Sequence, residues 1–108
     1  MEAVQVARHM ETIIRRLAEE GAKAETLIAD MSRTTADYKR ERAIAAIRMK
    51  GDGMAVTLIK HQAEGEVSEL EAEMITAVHR LKAHFAKRDD LKAQLNGYQS
   101  INRFIATI

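Results

Sequence analysis

From Val6 to Met49 the apolar residues recur at alternating steps of three and four: Val6, Met10, Ile13 with Ile14, Leu17, Ala24, Leu27 with Ile28, Met31, Tyr38, Ala45 and Met49. That spacing keeps a single stripe on one side of an α-helix. Within it, Met10, Leu17, Ala24, Met31, Tyr38 and Ala45 stand seven residues apart, the repeat of a coiled-coil seam. Gly21, Thr35 and Arg42 interrupt the companion rungs. A glycine in mid-helix costs about 1 kcal/mol relative to alanine, so Gly21 predicts a bend or a close helix crossing.

Lys50-Gly51-Asp52-Gly53 stops the first helix, because two glycines can take the positive φ that other residues resist and basic residues precede the stop. Met54 to Ala63 reads as a strand or a short helix; with no second strand-like run to pair with it, the helix is the better reading. After Gly65 a second long helix begins, its first turns crowded with Glu66, Glu69, Glu71 and Glu73, which complement the helix dipole. Its stripe is Val67, Leu70, Met74, Ala77 with Val78, Leu81, Phe85, Leu91, Leu95, Tyr98 and Ile105, and Gly97 predicts a kink. The fold class is therefore all-α, with two long amphipathic helices in an antiparallel hairpin and a short helix between them. Two helices that each bury one stripe give a thin core for a chain of this size. Self-association as a helical bundle is expected, through Met10, Leu17, Met31, Tyr38, Met74, Leu81, Phe85, Leu95 and Tyr98. A dimeric four-helix bundle is the simplest closure, and a higher cyclic oligomer satisfies the same stripes.

Composition narrows the rest. The 108 residues make one helical domain, 1–108, without proline or tryptophan and with only five glycines, which favours helix throughout. Charged residues reach 31% yet nearly cancel to a net +1, so any charge function rests on local segregation. The absence of cysteine excludes disulfides, thiolate nucleophiles and cysteine-type zinc sites. The first ten residues lack the basic start and apolar run of a signal peptide. No apolar run approaches the roughly 18 residues that cross a bilayer, so a soluble, cytoplasmic protein without a membrane partner is expected.

The candidate chemistry is sparse. His79 and His84 are five residues apart and point to different helix faces, whereas a helical metal pair needs three or four. The histidines read as surface or seam residues. Glu64, Glu66, Glu69, Glu71 and Glu73 could gather a divalent cation, but alternate members diverge around the helix, and a solvated acidic helix start accounts for them better. No phosphate loop is present, and Ser32, Ser68 and Ser100 have no base beside them, so neither an enzyme nor a metal or other cofactor is expected. Two basic patches remain. One holds Arg33, Lys39, Arg40, Arg42, Arg48 and Lys50, against Asp37 and Glu41; the other holds His79, Arg80, Lys82, His84, Lys87, Arg88 and Lys92, against Asp89 and Asp90. Such patches, repeated in an oligomer, neutralise several phosphates without reading bases. The competing reading is an ordinary charged helix face laced with intrahelical pairs.

The segment Ala43-Ile44-Ala45-Ala46-Ile47-Arg48-Met49-Lys50-Gly51-Asp52-Gly53, preceded by Tyr38-Lys39-Arg40, resembles small helical accessory proteins of bacteriophages, in particular the UvsY-type recombination mediators. The resemblance covers the middle third of the chain. It implies ring assembly, binding of single-stranded DNA and help in loading a recombinase, with Arg48 and Lys50 as DNA contacts supported by Arg40 and Arg42. The expected function is thus a phage accessory protein that oligomerises and binds nucleic acid non-specifically through Arg40, Arg42, Arg48, Lys50, Arg80, Lys82, Lys87 and Arg88. The alternative is an anti-defence inhibitor or adaptor that docks a helical face on a host or phage protein, its acidic Glu64 to Glu73 surface imitating nucleic acid. A purely structural assembly module is the third reading.

Overall fold

The computed structural model describes residues 1–107 and has three helices: α1 (Ala3–Gly51), α2 (Val56–Glu66) and α3 (Ser68–Thr107). Among the described residues there is no strand, and the ambiguous segment after the glycine turn is helical from Val56 onward. The two long helices pack against each other as the all-α hairpin that the stripes predict. Helix α1 opens with the Gln5 carboxamide accepting the Glu2 amide, and its last turn carries Arg48 and Lys50, where cations suit the helix dipole.

The reversal after α1 is set by Gly53. The Gly53 amide donates to the Lys50 carbonyl at 3.1 Å and the Met54 amide to the Met49 carbonyl at 3.0 Å, the paired bonds of a Schellman C-cap. That geometry needs the left-handed backbone, and Gly53 supplies it at φ 84°. Gly51 is the last residue of α1 rather than a second left-handed position, because a single positive φ completes the cap. The apolar contact that accompanies such caps is also present, since Met49 is buried and Met54 packs on the same cluster. Gly65 lies inside α2, and the break before α3 falls instead at Val67, whose φ of −105° and ψ of 20° lie outside the helical range. Val67 is buried, so packing fixes where the chain turns. Glu69 and Glu71 then occupy the first turn of α3.

Packing divides the chain into two compact units. One comprises 26–81: the second half of α1, the cap, α2 and the start of α3. Its core is Ala45, Met49 and Ala63, with Ala46, Met54 and Ile59 against them, and Tyr38 and Ala77 are buried elsewhere in the same unit. The other unit comprises 1–25 and 82–108, so its described part pairs the start of α1 with the rest of α3. There Val6, Ile13 and Leu91 are buried, and the His9 ring stacks on Tyr98 with centroids 5.0 Å apart.

Two expectations are corrected here. The helix continues through Gly21 and Gly97, and a Cβ built at Gly21 meets nothing within 4 Å, so no close helix crossing occurs there. The seam of α3 takes His84, not Phe85: His84 stands seven residues from both Ala77 and Leu91 and is buried with them, while Phe85 is 42% exposed. Hydrophobicity favours the phenylalanine, but the seven-residue rung selects its neighbour.

His84 belongs to a buried polar layer centred on Glu20. The Glu20 carboxylate accepts from Lys87 at 2.8 Å and from Lys23 at 3.2 Å, and His84 Nδ1 lies 3.3 Å from its other oxygen. The Lys87 hydrogen bond, opposed by burial and reinforced by Lys23, holds the Glu20 carboxyl at about 2 instead of 4.5. A depressed acid contributes its stabilisation above its unfolded pKa and loses it as pH falls through the folded one. The layer therefore supports the fold fully above pH 4.5 and lets go as the pH drops toward about 2. Melting temperatures followed down this window should fall more steeply in the native sequence than in Glu20→Gln. Equal slopes would show that Glu20 is not the titrating group.

Candidate functional site

Beside the Ala45, Met49 and Ala63 core, α1 presents Lys39, Arg42, Ala43, Ala46 and Lys50, spaced three, one, three and four apart, so that they share one helix face. Across from them α2 presents Val56, Ile59, Lys60, Ala63 and Glu64, again one face. Between the two helices lies an open groove of about 660 Å³. Alanines on both helices let them approach closely, which gives the groove an apolar floor, while the long basic side chains form its walls. The groove lies wholly within the unit of residues 26–81.

Its charge is one-sided. Lys39, Lys50 and Lys60 are exposed, and among the described residues none of the three forms an ion pair. Arg42 lies over the Tyr38 ring, 5.3 Å from its centroid, and donates to the Tyr38 hydroxyl at 3.4 Å, which stiffens the guanidinium without neutralising it. Glu64 is the single acid in the lining. Four cations against one carboxylate over an apolar floor make a site for an anion that carries an apolar or flat portion.

The other expected contacts fall differently. Arg40 donates to Asp37 at 2.9 Å and to Glu41 at 3.5 Å, and Arg33 to Asp30 at 2.8 Å and Asp37 at 3.4 Å, the intrahelical pairs of a charged face. The Arg48 guanidinium meets the Glu66 carboxylate. These carboxylates hold all three guanidiniums above their ordinary pKa, chiefly by accepting hydrogen bonds from them. Arg40 and Arg48 are thus compensated charges, while Arg42 and Lys50 reach the groove. In the second patch, Arg80 borders a shallow recess with Asp30, Arg33 and Glu73. Lys87 is held by Glu20, and Arg88 is half-buried with its Nε unpartnered. Arg80, Lys82 and Lys92 stand exposed and in no ion pair among the described residues, spread along α3 rather than gathered about a groove with an apolar floor.

The residues expected to join copies lie in or beside the hairpin seam. Tyr38 is buried, Met10, Leu17, Met31, Met74, Leu81, Leu95 and Tyr98 are half-buried, and Phe85 is exposed. Lys60 was not foreseen as part of a basic site. Its signal was the spacing of Val56, Ile59, Lys60 and Ala63, legible once that segment is read as a helix facing Lys39 to Lys50. Among the described residues no three of His, Asp and Glu gather as metal ligands, and no helix is long and apolar enough to cross a membrane. Comparison with protein-family models, with curated proteins and with solved structures finds no match to this chain.

Proposed function

We propose that this chain binds nucleic acid without sequence specificity, through the groove of Lys39, Arg42, Lys50 and Lys60. The observation that carries the reading is the concentration of four uncompensated cations on facing sides of α1 and α2, whereas Arg33, Arg40, Arg48 and Lys87 are matched by carboxylates. Lysine and arginine at the walls contact phosphates as charges and fix no base identity. The apolar floor of Ala43, Ala46, Ile59 and Ala63 gives an unstacked base a dry surface, so a single strand fits the groove better than a duplex, whose bases face inward. With no aromatic residue in the lining, stacking adds little and electrostatics dominates.

Counterion release makes this testable. A single strand that engages four cations gives log affinity against log salt a slope of about −3. Fluorescence anisotropy with a labelled oligonucleotide, titrated over a range of salt, measures it. A slope near zero, or no binding at low salt, would remove nucleic acid as the ligand.

A further inference from the structure

We infer that the unit formed by the start of α1 and the rest of α3 pairs with a second copy of itself through the flank of Ile14, Ala18, Gly21 and Phe85. Because the helices run antiparallel, the residue that follows a seam position turns to the same side of the hairpin on both. Lys23 and Lys87 precede seam positions, and both reach Glu20 from the opposite side, in keeping with this phase. Ile14 and Gly21 follow the seam residues Ile13 and Glu20, and Phe85 follows His84. The flank they form is apolar and open: Ile14 is 54% exposed, Phe85 is also exposed, and a Cβ at Gly21 would meet nothing within 4 Å.

The charges beside this flank identify the occupant. On the α1 side stand Glu11 and Glu25, on the α3 side Lys82 and Lys92, all exposed and in no ion pair among the described residues. Asp89, the one acid on the α3 side, lies at the level of Ala18. Glu25 is five residues beyond Glu20 on α1, and Lys82 is five residues before Lys87 on α3; the Glu20 to Lys87 contact therefore puts them at one level. A two-fold axis lying in the flank and running along the helices stacks α1 of one copy on α3 of its partner. It sets Glu25 of each copy against Lys82 of the other, twice. Such an isologous interface is self-complementary, as a two-fold dimer requires. Gly21 allows the approaching helix close to the α1 backbone, with Phe85 beside it as the apolar anchor. The pairing is independent of the nucleic-acid reading and is measured without nucleic acid.

Sedimentation equilibrium on the full chain tests it. The native sequence should dimerise, and Phe85→Asp should raise the dissociation constant about tenfold or more. Glu25→Lys alone and Lys82→Glu alone each set like charges together twice and should each weaken dimerisation about fivefold. Mixed, the two variants regain opposite charges at both contacts, and a heterodimer of native affinity should form. A native chain that stays monomeric overturns the proposal, as does a dimer indifferent to Phe85→Asp. So does a mixture no tighter than its separate components, which would place the two-fold elsewhere. Should Phe85→Asp lose its helical circular dichroism, the two charge variants, at exposed positions, still decide.

Discussion

Replacing Lys39, Lys50 and Lys60 together with glutamate should lower the affinity for a single-stranded oligonucleotide about a hundredfold at roughly 0.1 M salt. Each phosphate contact to a single strand contributes an exponent of about 0.7 in salt, which is about fivefold in affinity at that concentration, and three contacts multiply to roughly a hundredfold. Reversal adds repulsion, so the figure is a lower bound, and the salt slope should shrink toward that of the single remaining contact, Arg42. The three lysines are exposed and, among the described residues, in no ion pair, so the change strands no buried partner there. Arg8→Glu with Arg15→Glu and Arg16→Glu makes the same change in net charge within the other unit. Anisotropy titrations of both triple variants separate a local site from bulk attraction. If the two weaken binding equally, the affinity follows net charge and the groove is not its seat.

The hairpin was legible because its determinants are local. Rungs three, four and seven residues apart fix a helix face, and one glycine able to adopt φ 84° fixes the reversal. Pairing across the hairpin was not legible. Arg48 and Glu66 are 18 residues apart in sequence, and Glu20 and Lys87 are 67 apart, so nothing in the chain's order shows that these charges meet. Counting cations by segment therefore overstates the free positive charge near Arg40 and Arg48 and misses Lys60, which becomes part of the site only when α2 lies against α1. The same blindness favoured Phe85 over His84 on the seam. A hydrophobicity scale cannot know that Glu20 waits opposite to receive a polar partner, and it assigns the phenylalanine to the core. With His84 inside, Phe85 turns out to the flank, where it becomes available to a partner.

Leu91→Ala should cost about 3 kcal/mol of unfolding free energy, the largest loss expected from truncating any one side chain in its unit. Leu91 is 1% exposed and, with Val6, is one of the two largest fully buried side chains. Removing its outer carbons leaves a cavity that two stiff helices cannot collapse to fill, so the loss of transfer energy and of packing contacts add. The cost matters more here because the seam is thin. A domain's net stability is commonly about 5–15 kcal/mol, and this unit interrupts its apolar rungs with Glu20 and His84. Phe85→Ala removes more carbon, yet it should cost less when urea unfolding is followed at concentrations too low for self-association, because the phenylalanine stands outside the seam. The order of the two costs separates the accounts of α3. Leu91 costing more means that the rung through Ala77, His84 and Leu91 faces α1. Phe85 costing more means that the helix is turned by one residue, and the apolar flank assigned to a second copy is then part of the core.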